Sequence, residues 1–294
     1  MTDAPDIDWT AVPALADAIA RHAVPLLLAL VVLLLGIAFV GWRVLQRLVP
    51  RLLARLAPAW HLLDRRRLAA RYLGLHAAAS FALAALGVVA FFELAEEIGA
   101  GETLAAFDLA LAAALSRHLG EGTLAVFGAL THLGDPPLLW SIALLVAVAL
   151  AARGERLLAA GWLAATGGGS LLNRLLKTIF ERSRPVHDSG FASADGFSFP
   201  SGHASGSLLV YGMLAYLVVR HTPPRWHLPA AAIALVLVVF VGGSRVLLQV
   251  HWFSDVLAGW ANAGAWAALC IGGLETVRLA PMRDPARRTA GNGP

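Results

Sequence analysis

Long unbroken runs of apolar residues dominate this chain, with neither strict alternation nor one-faced helical periodicity inside them. Seven stand out: Val24–Trp42, Tyr72–Phe92, Pro137–Ala152, Arg156–Leu176, Ala204–Arg220, Leu228–Gly243 and Val256–Leu274. A helix of about 20 apolar residues crosses a hydrocarbon core, so each block predicts a membrane-spanning helix, the shorter ones with ends that extend beyond the block. Lipid offers no water to backbone N–H and C=O groups, so a continuous apolar run must satisfy them internally as a helix. The dyad alternation of a membrane β-barrel is missing. The predicted fold is therefore all-α, a polytopic helical bundle in the membrane.

Two further stretches have helical periodicity without the length or apolarity to span. In 43–56, Arg43, Arg47, Arg51 and Arg55 recur every four residues while Val44, Leu45, Leu48, Val49, Leu52, Leu53 and Leu56 fill another face. That pattern predicts a basic amphipathic helix on anionic lipid, bent near Pro50, or else a solvated linker rich in arginine. In 103–119, Leu104, Phe107, Leu111 and Leu115 share a face, as in a helix reclining at the interface. The chain divides into residues 1–71, with one span and the basic segment, residues 72–279, with six spans, and residues 280–294, an Arg-, Gly- and Pro-rich stretch expected to be a disordered tail.

Composition rules out a soluble protein. Of 294 residues 58% are hydrophobic and 14% charged, against about 25% charged in a soluble domain, and mean hydropathy is +0.69. The first block is not expected to be a cleaved signal peptide, because its flank carries Asp3, Asp6, Asp8 and Asp17 where such a peptide is basic. Cys270 is the single cysteine, which excludes an internal disulfide and a cysteine-based metal site. No feature calls for a cofactor, a metal or a nucleic-acid partner.

Charge then sets an orientation. Sixteen of the 23 basic residues fall in 43–71, 153–156, 220–225 and the tail from Arg278, which makes that set cytoplasmic by the positive-inside rule. The expected location is the plasma (inner) membrane, with the N-terminus outside and the C-terminus in the cytoplasm. The segments from Lys177 and from Ser244 then open outward, to the periplasmic or extracellular side.

Those outward segments carry chemistry that span-building does not explain. Lys177 is the only lysine among the basic residues; as a lone feature it reads equally as an interface anchor. With Arg184 and Arg245 it places three cations on the face that normally excludes them, as anion binding requires. Pro200-Ser201-Gly202-His203 opens a span, where Ser201 can cap a helix whose free N–H groups seat a phosphate and Gly202 lets a ligand approach the backbone. An ordinary capped helix explains Ser201 and Gly202 but not His203. His251 and Asp255 are four residues apart and share a helical face. They form either a structural pair or a histidine oriented by a carboxylate for nucleophilic attack.

Taken together, K-x6-RP at Lys177 to Arg184-Pro185, PSGH at Pro200 to His203, and SR-x5-H-x3-D at Ser244 to Asp255 resemble the signature of the type 2 phosphatidic acid phosphatase superfamily at every fixed position. The resemblance covers roughly Tyr72 to Leu279 and leaves 1–71 outside it. It implies a six-helix membrane phosphatase core in which His251 attacks phosphorus and forms a phosphohistidine, Asp255 orients it, and His203 protonates the leaving oxygen. Lys177, Arg184, Arg245, Ser201 and the Gly202 amide would hold the phosphoryl oxygens. The implied activity is metal-independent hydrolysis of a lipid phosphate monoester or diphosphate, of polyprenyl diphosphate, phosphatidylglycerophosphate or phosphatidic acid type, at the outer face. The alternatives are a phosphatase of soluble esters, a vanadium haloperoxidase, which seven spans argue against, and a non-catalytic lipid-binding protein. The 178–199 loop, with Arg182, His187, Asp188 and Asp195, is expected to help select the lipid. The oligomeric state is not legible.

Overall fold

A computed structural model describes residues 11–60, 65–99, 102–186 and 190–279, and these contain helices and no strand. In chain order the helices are α1 (Ala11–Arg21), α2 (Ala23–Trp60), α3 (Arg65–Glu96), α4 (Thr103–His118), α5 (Glu121–Thr131), α6 (Pro136–Ala152), α7 (Arg156–Leu163), α8 (Gly169–Phe180), α9 (Gly202–His221), α10 (His227–Leu247) and α11 (Phe253–Leu279). Among the described residues six stretches are long and apolar enough to cross a membrane: Ala23–Leu48, Ala77–Glu96, Glu121–Ala152, Gly202–His221, Pro224–Leu247 and Phe253–Arg278.

The predicted span at Arg156–Leu176 is not among the six. That stretch is still one continuous helical run, in which a π-turn at Ala164–Gly168 joins α7 to α8, and Thr166, Ser170, Asn173 and Arg174 make it more polar than the other spans. The reason lies in its position, since all four of these residues line a cavity at one end of the bundle. Extra residues in a helical turn commonly mark functional sites. The basic segment 43–56 is no separate helix either, because α2 runs through it and through Pro50 as one 38-residue helix. Residues 280–294, expected as a tail, lie outside the described residues.

Packing follows the rule for helices in lipid, where small residues let backbones meet. Helix α3 lies along α11; a Cβ on Gly87 would stand 2.8 Å from the carbonyl oxygen of Ala261. Side chains from α6, α7, α9, α10 and α11 form one core around fully buried Trp162, whose indole N–H donates to the Ala143 carbonyl at 2.8 Å. A second core, with Leu111, Leu115, Phe127 and Leu248, ties α1 and α4 to the end of the bundle where α10 stops and α11 starts. Asp17 of α1 binds Arg21, Arg117 and His118, which hold its carboxyl below the usual carboxylate range, His118 first.

Candidate active site

The three signature segments meet at one end of the bundle. Lys177 sits in the last turn of α8, which ends on Glu181 in the left-handed region. Arg184 follows in the connecting loop, His203 stands in the first turn of α9, Arg245 in the last turn of α10, and Asp255 in the first turn of α11. His251 occupies the short α10–α11 connection. Lys177, Arg184, Gly202, His203, Arg245 and His251 all line one cavity of about 360 Å³. Ser201 and Asp255 lie behind its wall, both fully buried.

The local sequence explains each placement. Ser201 is the N-cap of α9, its side chain accepting from the Ala204 N–H. Its hydroxyl thus builds the helix start, and Gly202 brings that start to the cavity wall. Asp255 accepts from the Trp252 N–H at 3.0 Å, the backward reach of a third-position carboxylate to the residue that precedes its helix. The same Asp255 Oδ2 lies 3.1 Å from His251 Nδ1. Beside the cavity, a Cβ on Gly134 would meet His203 Cδ2 at 3.0 Å and Val241 at 2.4 Å, so only glycine lets the His203 ring stand there.

The three signature cations are held by neutral groups. Lys177 Nζ donates to the carbonyls of Phe197 and Ser198. Arg184 donates to the carbonyls of Asp195, Gly196, Phe197 and Val250 and to His251 Nε2. Arg245 donates to Thr131 Oγ1 at 2.8 Å, and its Nε is buried without a partner. Among the described residues, none of the three pairs with a carboxylate. Like charges cannot share a buried space cheaply, and the consequences are visible. Burial, and secondarily Arg184, lowers the Lys177 ammonium to about 8. Burial also lowers Arg184. His251 is held well below the usual histidine value, first by burial and then by Arg184, Lys177, Arg245 and His203.

Three partners have no counterpart in the sequence reading. Asp135 receives His203 Nε2 at 3.0 Å and His132 Nδ1 at 2.7 Å. It occupies the N-cap position of α6 but makes no capping bond. Thr131 supports Arg245. Asp108 is buried against Arg182 and Ser254. Arg182 itself, expected to help select lipid, turns away from the cavity and binds Asp108 and Asp255. From the same loop Ser193, Ala194 and Asp195 do line the cavity, while His187 and Asp188 lie outside the described residues. The described residues contain no group of three or more His, Cys, Asp or Glu that could hold a metal ion.

Beyond the signature residues the walls carry apolar Leu139, Trp140, Ala143, Leu209 and Val210 beside polar Thr166, Ser170, Asn173 and Arg174, and Trp140 is half exposed. The arrangement offers an imidazole nitrogen among three cations, a second histidine held by a carboxylate, and apolar side chains in the wall.

Known proteins are similar to this chain. Phosphatidylglycerophosphatase B of Bacillus subtilis is 42% identical over 102 residues, 32% of this chain and 47% of that protein, so the match spans about half the relative's length. Decaprenylphosphoryl-5-phosphoribose phosphatase of Mycobacterium tuberculosis is 34% identical over 167 residues, 53% of this chain and 85% of that protein. The crystal structure of a transmembrane PAP2 type phosphatidylglycerolphosphate phosphatase from Bacillus subtilis superposes with a TM-score of 0.62 at 29% identity, covering 66% of this chain and 97% of that one. The profile of the PAP2 superfamily matches residues 156–278, the stretch that holds all three signature segments, and with these relatives it establishes that the chain belongs to the PAP2 superfamily.

Proposed function

We propose that this protein is a membrane lipid phosphatase that cleaves a phosphate monoester or diphosphate through a phosphohistidine at His251. The observation that carries the reading is that three cations, none paired with a carboxylate among the described residues, surround His251, whose Nδ1 faces Asp255 and whose Nε2 faces Arg184 in the cavity. Arg184 donates to His251 Nε2, so that nitrogen carries the lone pair and Nδ1–H donates to Asp255. A phosphoryl oxygen entering the cavity competes for Arg184 and frees Nε2 to attack. The N–P bond forms as the P–O bond to the leaving group breaks, and His203, supported by Asp135, delivers a proton to the departing oxygen. Water then cleaves the N–P bond, His203 takes its proton, and phosphate leaves. Fixed charges aimed at developing charge provide most of the stabilisation in such transfers. Here Lys177, Arg184, Arg245 and the α9 N-terminus fill that role, so no metal ion is required.

Apolar Leu139, Trp140, Ala143, Leu209 and Val210 in the cavity wall, inside a bundle with six apolar spans, support a lipid over a soluble ester. Phosphatidylglycerophosphate, polyprenyl diphosphate and phosphatidic acid remain the substrate classes to compare. The distribution of basic residues places the site at the outer face and the C-terminus in the cytoplasm. The test is phosphate release by the purified full chain from detergent-dispersed lipid phosphates and, in parallel, from water-soluble esters of equal leaving-group pKa. Faster turnover of the lipids is expected. Preference for the soluble esters would transfer the protein to the sugar-phosphate class of phosphatases, and no turnover of either would leave a binding protein.

A further inference from the structure

Arg182 differs from Lys177, Arg184 and Arg245 in having two carboxylate partners. Its NH1 donates to Asp255 Oδ1 at 2.8 Å and to Ser254 Oγ at 2.7 Å, and its NH2 donates to Asp108 Oδ2 at 2.9 Å. Its guanidinium lies 5.5 Å from the centre of the Trp252 ring. Asp108 has no accessible side-chain surface and also accepts from the Ser254 N–H at 3.2 Å and from the Ser254 hydroxyl. The four charged or chargeable groups form a line: His251, Asp255, Arg182, Asp108. Its far end is on α4, outside residues 156–278.

The order of charges along that line matters. A guanidinium against a buried carboxylate cancels most of its field. With Arg182 alone, Asp255 would offer little to the positive charge that develops on the His251 ring as Nε2 bonds to phosphorus. Asp108 restores one net negative charge to the trio of Asp255, Arg182 and Asp108. Both contacts also fix Asp255 in the rotamer that reaches Nδ1. Burial pushes the Asp108 carboxyl above the usual carboxylate range, while Ser254 and Arg182 draw it back. Its charge thus depends on Arg182 and Ser254.

We propose that Arg182 and Asp108 are positioning residues for the transfer step, which set the orientation and the effective charge of Asp255 from a helix outside the signature segments. The proposal rests on the phosphatase reading above. Neither residue touches the cavity, so substrate binding is untouched and the effect falls on turnover.

The experiment compares kcat and KM for the wild type, Asp108→Asn, Arg182→Gln, Arg182→Lys and the double variant Asp108→Asn/Arg182→Gln, on a dispersed lipid phosphate that the wild type hydrolyses. Asp108→Asn leaves the trio with no net charge beside His251 and lowers kcat by at least about tenfold with KM within about twofold, a size typical of coupling between contacting charges. Arg182→Gln lowers kcat too, since two facing carboxylates must share a proton, and Arg182→Lys recovers much of the loss. The double variant returns the net charge to minus one and is faster than Asp108→Asn alone. A purely structural role gives the opposite order, with the double variant the slowest and least stable. That order, or a change confined to KM, overturns the proposal. If Asp108→Asn is not recovered folded, equal kcat for Arg182→Gln and the wild type overturns it by itself. A wild type inactive on every lipid phosphate removes the phosphatase reading, and this proposal with it.

Discussion

Arg184 donates to His251 Nε2 at 3.0 Å while Asp255 faces Nδ1 of the same ring at 3.1 Å. One imidazole is thus fixed from both sides, its proton on the carboxylate side and its lone pair on the cavity side. Arg184 is itself fixed by four backbone carbonyls, so its position does not depend on a ligand.

Arg184→Gln should therefore lower kcat/KM on a lipid phosphate by ~10²–10³-fold, the usual loss on removing one fixed donor from a developing oxyanion. Arg184→Lys should restore little, because a single ammonium cannot bridge the carbonyl cluster and the phosphoryl oxygen together. Steady-state kinetics on the three proteins checks this. Full activity of the lysine variant would mean that only charge is needed there.

The pH profile should reflect Lys177. Its ammonium is lowered to about 8, by burial first, then by Arg184 and Arg245 against the opposing pull of Asp255. The charge that attracts phosphate is present below that pH and is lost as pH rises through it. kcat/KM should fall above pH 8 as free enzyme loses its third cation. Burial, then Arg184, Lys177 and Arg245, hold His251 below the usual histidine value, so its loss of a proton lies on the acid side and contributes no alkaline fall. Lys177→Arg should move the alkaline fall to higher pH, whatever it does to the maximum rate. An unshifted fall in that variant would assign it to another group.

What the sequence made legible follows from how the residues are arranged along it. Spans announce themselves because lipid forbids polar interruptions, and a signature at fixed spacing at helix ends places Lys177, Arg184, His203, Arg245, His251 and Asp255 together. The stretch 156–176 was legible as a span from its apolar residues, but the polar side that it turns to the cavity was not, since a helix facing a site can be polar inside a membrane. Asp135 and Thr131 gave no signal, for they act through contacts across 68 and 114 residues of chain. Asp108 did give one. It is the lone acid in α4 and falls on the face of Leu111 and Leu115, three and seven residues on. A carboxylate on a buried face needs a partner, and Arg182 was available. Helix α1, which secures α4, was missed because it is short and separated from α2 by one residue.

Metal removal should leave the rate unchanged, because positioned cations take the place of the ion that often neutralises a transferring phosphoryl group. The check is turnover in EDTA against turnover in added magnesium. Loss in EDTA with recovery on magnesium would contradict the assignment of Lys177, Arg184 and Arg245. Vanadate, which adopts the five-coordinate geometry of the transition state, should inhibit competitively with lipid phosphate.

The two histidines should separate when the leaving group is varied. His251→Ala should abolish turnover of every substrate, since nothing else in the cavity is placed to attack phosphorus. His203→Ala removes only a proton donor. General acid catalysis is worth ~10²–10⁴-fold, and only when the departing oxygen is strongly basic. An alkyl phosphate releases such an oxygen; an aryl phosphate or a diphosphate releases one already stable as an anion. The first-turnover defect of His203→Ala should accordingly shrink from alkyl to aryl substrate, while that of His251→Ala stays complete. Asp135→Asn should follow His203→Ala in pattern and be milder, because it weakens the donor's support and leaves the ring in place. Rapid-quench measurement of the first turnover is the right reading, since slow hydrolysis of the phosphohistidine could mask the difference in steady state. Equal defects of His203→Ala on both substrates would remove the general-acid role, and a phosphoenzyme trapped in His251→Ala would assign the attack to another residue.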